Sequence, residues 1–186
     1  GVQDPEVVRG LATAYYATDN FTPESERIYR EALRTDPDNL DALKALGRIT
    51  VQQNRMDADA MLVLEKAFQR ESSDLALGKH LAHTYVKNER YDDAIRMAQR
   101  LLEQCADDEN LQKLFAEASL RNNQLDEAIR QYEHLLKQHP GDRETTVNLA
   151  FAYVQKQRTD DTAGQHYEQA LRIDANLAPV RMMFAR

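Results

Sequence analysis

From Leu40 to Gln53, from Leu75 to Asn88 and from Arg143 to Lys156, apolar residues return at spacings of three and four. That is the period of a helix with one buried face, not the alternation of a strand. Polar turns follow, such as Asn54-Arg55-Met56-Asp57, Asn88-Glu89-Arg90-Tyr91 and Asn122-Asn123-Gln124-Leu125. Asp57, Asp92, Asp126 and Asp160 then stand where a second helix begins. A carboxylate there caps free N–H groups and meets the positive end of the helix dipole, worth about 0.5–2 kcal/mol per cap. Second helices are expected to run out at Asp36-Pro37 and His139-Pro140, because proline disfavours the helical state in the residue before it. Asn39 and Asp142 are placed to cap the helix that follows.

The helix pairs repeat. A small residue recurs at Ser25, Ala60, Ala94, Ala128 and Ala163, in steps of 35, 34, 34 and 35. A second column, Ala32, Ala67, Leu101, Leu135 and Ala170, keeps the same steps. Upstream of each lies a large residue followed by a small one: Leu11-Ala12, Leu46-Gly47, Leu81-Ala82, Phe115-Ala116 and Leu149-Ala150. A period in this range predicts stacked copies of one helical unit. Five copies span 5–39, 40–74, 75–108, 109–142 and 143–177, and 178–186, with Val180, Met183 and Phe184, reads as the first helix of a further copy. The small columns let paired helices approach closely, while Tyr29, Leu64, Tyr132 and Tyr167 fill the space toward the next pair. Tyr15, Tyr85 and Tyr153 share another core column. No Gly/Ser tract or charge block interrupts the series, so one continuous array is expected. Copies one, two and five carry one extra residue between their helices, which predicts looser turns there.

The pattern resembles the tetratricopeptide repeat (TPR) family. The third copy carries Leu81-Ala82, Tyr85, Tyr91, Ala94, Ala98 and Leu101; the fourth Phe115-Ala116, Ala128, Tyr132, Leu135 and Pro140; the fifth Leu149-Ala150, Tyr153, Ala163, Tyr167 and Ala170. Departures are Leu43, Gly78, Gln112 and Thr146 in place of the family's bulky fourth residue, and Ser72, Ala106 and Ala175 in its proline column. The resemblance implies an all-α fold, a right-handed superhelical solenoid of antiparallel helix pairs whose first helices line a concave wall. It also implies that positions two, five, nine, twelve and thirteen of each copy face that wall. Carried over, these include Arg9, Lys44, Arg48, Lys79, His83, Lys87, Lys113, Arg121 and Phe151, the candidate partner-binding residues. All such positions together hold seven Lys or Arg against Glu6, Asp41, Glu117 and Glu144, a net of +3 on a chain of net −7. A basic strip on an acidic molecule steers an acidic segment of a protein or peptide partner. Pairing with wall carboxylates is the competing use of the same side chains. Toward the fifth copy the wall turns apolar at Val147, Phe151 and Val154, suiting a hydrophobic anchor. One TPR subclass grips chaperone-tail carboxylates with a Lys/Asn/Asn/Lys/Arg set; the matching positions here, Lys44, Arg48, His80, Asn110 and Leu114, do not supply it.

Composition narrows the function further. The chain has 186 residues, 30% of them charged, a single cysteine and no Trp. With Cys105 alone no intrachain disulfide forms, which permits a reducing compartment without requiring one. No stretch approaches the roughly 20 apolar residues that span a bilayer, and Gly1 to Gly10 lacks the order of a signal peptide. Starting at Gly and stopping inside a repeat, the chain has the look of a segment of something longer. An acidic balance disfavours nucleic acid as partner. His80 and His83 share a helix face but have no third ligand at compatible spacing, Cys105 has no CxxC partner, and there is no phosphate-binding glycine loop. No metal, cofactor or catalytic residue is therefore expected. The sequence points to a non-catalytic interaction scaffold; the alternative is a structural or self-associating arm of a larger assembly, such as one for envelope, secretion or polysaccharide export, with the C-terminal end as the self-associating surface.

Overall fold

The structure, a computed structural model, describes residues 4–185; Gly1, Val2, Gln3 and Arg186, the last residue of the expected further helix, lie outside the described residues. Eleven α-helices and no strand occur among the described residues: α1 (Pro5–Ala17), α2 (Pro23–Thr35), α3 (Leu40–Gln52), α4 (Ala58–Arg70), α5 (Leu75–Lys87), α6 (Tyr91–Leu102), α7 (Glu109–Arg121), α8 (Leu125–Gln138), α9 (Arg143–Gln155), α10 (Asp161–Ile173) and α11 (Ala178–Phe184). The all-α expectation is met. The chain divides between Arg90 and Tyr91 into two compact units, so the two helices of the third copy fall in different units.

Within each unit every helix packs on its successor, and the first helices also pack on one another: α1 on α3, α3 on α5, α7 on α9 and α9 on α11. Among the described residues no such contact joins α2 to α4, α6 to α8 or α8 to α10. First helices are thus close-spaced and second helices splayed. The close spacing has a visible cause at Gly47, where an added Cβ would lie 2.9 Å from the Ala67 Cβ and 3.1 Å from Leu77 Cδ1. Ser25, Ala60, Ala128 and Ala163 are fully buried, and Tyr29, Leu64, Tyr132 and Tyr167 fill the space beside them. One core gathers around Val8, Tyr29, Leu46 and Ile49, another around Leu135, Leu149, Tyr153 and Tyr167. The further helix is present as α11: Val180 and Met183 belong to that second core, whereas Met182 and Phe184 are exposed. Val180 and Met183 lie three apart on one face, and Met182 points the other way.

All five turns from first to second helix are built alike. Asp19, Asn54, Glu89, Asn123 and Gln157, each two residues past the end of its helix, hold left-handed φ values between 49° and 59°. The next N–H then donates back to a carbonyl five residues earlier: Asn20 to Tyr15, Arg55 to Thr50, Arg90 to Tyr85, Gln124 to Ser119 and Arg158 to Tyr153, at 2.8–3.1 Å. This closes the helix end by satisfying carbonyls that the ladder leaves free. The expected loosening in copies one, two and five does not occur. Their extra residue falls after the shared turn, where extended Thr22, Asp57 and Asp160 each accept from an N–H three residues on, in Ser25, Ala60 and Ala163. Copies three and four lack it. There Asp92 and Asp126 sit second in α6 and α8 and are not caps as expected; Asp92 accepts from Asn122 Nδ2 at 2.7 Å, and Asp126 meets Lys156 Nζ. First helices are capped as the spacing suggested, Asn39 on Ala42 N–H at 3.0 Å and Asp142 on Glu144 and Thr145.

Candidate functional site

In the first unit the wall residues lie on α1, α3 and α5. Arg9, His83 and Lys87 are exposed, and Lys79 is half-buried. Lys44 reaches Glu71 Oε1 at 3.2 Å, a largely sheltered pair. Arg48 lies over the Tyr16 ring, 5.3 Å from its centroid, with Asp19 at 3.8 Å. Stacking on an aromatic face leaves the guanidinium edge able to donate outward. Part of the positive charge that the spacing placed on this wall is therefore met from within.

The second unit is different in character. Lys113 is held by Glu109 at 2.7 Å and Asp142 at 2.5 Å, and its bonds to Asp142 and Glu109 raise its ammonium above the ordinary lysine range. Arg121 is mostly exposed and only 3.9 Å from Glu117. Between α7 and α9 lies a recess of about 380 Å³, lined by Glu117, Leu120 and Arg121 on α7, Glu144, Asn148, Phe151 and Gln155 on α9, and Tyr132 from α8. Six of these eight are positions the repeat register put on the wall. Asn148 and Tyr132 are not.

Tyr132 is 1% exposed, yet its hydroxyl has no hydrogen-bond partner among the described residues. Its column mates explain why. Tyr29 donates to the Asn20 carbonyl at 3.0 Å and Tyr167 to the Arg158 carbonyl at 2.7 Å, each reaching back nine residues to the turn. The matching carbonyl in the fourth copy belongs to Gln124, and it already accepts from the Ala128 N–H because α8 begins at once after the turn. The missing residue thus removes the acceptor. Burial pushes the Tyr132 hydroxyl above its ordinary pKa, with the carboxylates of Glu117 and Glu144 adding to the effect. Tyr132 stays a neutral phenol at physiological pH.

A second recess, of about 450 Å³, lies on the splayed side of the first unit. Leu33, Leu43, Leu46, Leu62 and Val63 form its apolar part and Arg30, Arg34, Asp59 and Lys66 its charged part. Reading the first helices alone missed it; the signal was Leu62, 56% exposed on the helix face it shares with Asp59 and Lys66. The candidate chemical groups are engaged elsewhere. His80 Nε2 lies 2.8 Å from the Arg55 carbonyl, linking the second and third copies, and Cys105 Sγ faces the Leu101 carbonyl at 3.1 Å. Among the described residues no group of three His, Cys, Asp or Glu is placed to hold a metal, and no helix is long and apolar enough to cross a membrane.

Tetratricopeptide repeat models match residues 58–118 in one case, and 9–74 together with 113–178 in another. No curated protein matches at the level of sequence. Among solved structures the chain is similar to YrrB, described as a TPR protein with an unusual peptide-binding site, at 21% identity and a TM-score of 0.69, covering 98% of this chain and 93% of that one. It is also similar to MamA, at 20% identity and a TM-score of 0.64 over 94% of this chain and 93% of that one. MamA of Desulfovibrio magneticus RS-1 is 15% identical with a TM-score of 0.63, over 94% and 97% of the two chains. At these identities the likeness speaks to the fold.

Proposed function

Since the chain belongs to the tetratricopeptide repeat family, we propose that it is a non-catalytic scaffold that receives a segment of a partner protein along its first-helix wall. The observation that carries this reading is the recurrence of solvent-reaching cations on successive first helices of the first unit: exposed Arg9 on α1 and Lys87 on α5, with the half-buried Arg48 on α3 between them. Such a row suits an acidic stretch of the partner, and its attraction acts mainly on encounter rate and selectivity at low salt. YrrB, with its peptide-binding site, shares this fold and lends support to a peptide-receiving role. Selecting binders from a library of short random peptides tests the proposal. Acidic sequences are expected to be enriched on the native protein, with binding that weakens as salt rises, and to be lost on the Arg9→Glu, Arg48→Glu, Lys87→Glu variant. Equal enrichment on both proteins would remove the wall from the argument.

The exposed Met182 and Phe184 on α11 favour a second reading, a structural arm that self-associates. Sedimentation of the native protein against Met182→Glu, Phe184→Glu distinguishes the two: a concentration-dependent oligomer dispersed by the substitutions supports the arm, and an unchanged monomer supports the receptor. Met183 is left intact in this variant because it is core.

A further inference from the structure

The recess of the second unit does not have the chemistry of the basic wall. Its two carboxylates, Glu117 and Glu144, face one guanidinium, Arg121, which is 62% exposed and 3.9 Å from Glu117. Glu144 meets no cation among the described residues. Asn148 and Gln155 add amide oxygens, and Tyr132, which also lines the recess, has a buried hydroxyl near the Glu117 and Glu144 carboxylates with no hydrogen-bond partner among the described residues. Leu120, Phe151 and the Tyr132 ring supply apolar surface beside these acceptors. An apolar flank beside convergent acceptors and net negative charge matches one kind of side chain: a methylene stem ending in a cation.

The geometry points to this recess as the seat for a single lysine or arginine side chain of the bound segment, its stem against Leu120 and Phe151 and its head among Glu117, Glu144 and the Tyr132 hydroxyl. This rests on the scaffold reading only for where the side chain comes from. A phenol buried without a partner costs free energy in the empty protein. A ligand donor at Tyr132 Oη recovers that cost, and an ammonium or guanidinium has donors enough to reach a carboxylate at the same time. An anionic occupant is disfavoured, since it would set its charge against Glu117 and Glu144 with only an outlying Arg121 in its favour. The partner segment therefore carries a basic residue where it crosses α7 and α9, whatever it carries elsewhere.

Amino-acid amides test the seat without any partner. N-acetyl-lysine amide and N-acetyl-arginine amide are titrated while NMR follows Tyr132, Leu120 and Phe151, with the norleucine and glutamate amides as controls. Saturable shifts with lysine or arginine are expected, absent with norleucine. The Glu144→Gln variant is expected to weaken binding by about tenfold, as for the loss of one charge-assisted hydrogen bond. Tyr132→Phe removes only the unpartnered hydroxyl, keeps the fold and is expected to weaken binding as well. No saturable shift overturns the proposal. So does norleucine matching lysine, glutamate binding better, or unchanged lysine affinity in both variants. Because these probes bind irrespective of Arg9, Arg48 and Lys87, their failure is separable from failure of the peptide selection.

Discussion

Tyr29, Tyr132 and Tyr167 occupy one column of the repeat and are equally buried, but their hydroxyls meet different fates. Tyr29→Phe and Tyr167→Phe each remove a made hydrogen bond, to the Asn20 and Arg158 carbonyls. Each should cost about 1 kcal/mol in urea unfolding, while Tyr132→Phe should be neutral or stabilising because nothing is lost. Gly47 shows the same dependence on surroundings. Alanine there gains about 1 kcal/mol of helix propensity but drives a methyl group into Ala67. Overpacking of about 1–3 kcal/mol makes Gly47→Ala destabilising overall. Gly10→Ala, in the open face of α1, should raise the midpoint instead. The sequence already assigned all three tyrosines to the core and marked Gly47 as a point of close approach, because both follow from periodicity. That one hydroxyl lacks an acceptor was not legible, since it depends on which carbonyls the adjoining helix consumes.

At the scale of the helices, ends were more informative than interiors. Asp142 caps α9 through Glu144 and Thr145 N–H and also takes the Lys113 ammonium at 2.5 Å. Burial raises its carboxyl pKa, but the bonds from Lys113 and Thr145 outweigh burial and hold it below the ordinary aspartate range. Asp160 is depressed likewise, to about 2, chiefly by Arg158. A carboxylate lowered in the fold contributes its full stability above its unfolded pKa and loses it as pH falls through the folded value. Melting temperature should therefore drop with acidity below about pH 4, and Asp142→Asn should flatten that drop while keeping the cap. The helix period and the proline stops located the elements themselves, with α2 ending at Thr35 and α8 at Gln138. Spacing alone did not tell a cap from a second-position acid, as Asp92 and Asp126 show. Nor did it show that an extra residue lengthens the approach to a helix and leaves the preceding turn unchanged.

Across the molecule, stability accrues from neighbour to neighbour, so position along each stack sets local opening. Among the described residues the helix α1 packs on α2 and α3 alone, and α11 on α9 and α10 alone. Amide hydrogens of α1 and α11 should exchange sooner than those of α3 and α9, readable by mass spectrometry of the whole chain; uniform protection would contradict additive neighbour packing. The wall was legible in outline, since six of the eight residues around the α7/α9 recess stood at predicted positions. Its local sign was not, because Lys113 is consumed by Glu109 and Asp142 while Glu144 is left over. The short connection before α8 carries this furthest. In such an array a deletion can create a recognition feature where no substitution has occurred, turning a structural rivet into an open contact. Trimming Phe21 or Thr159 would be the way to offer the same vacancy beside Tyr29 or Tyr167, and lengthening the stretch after Gln124 the way to close it.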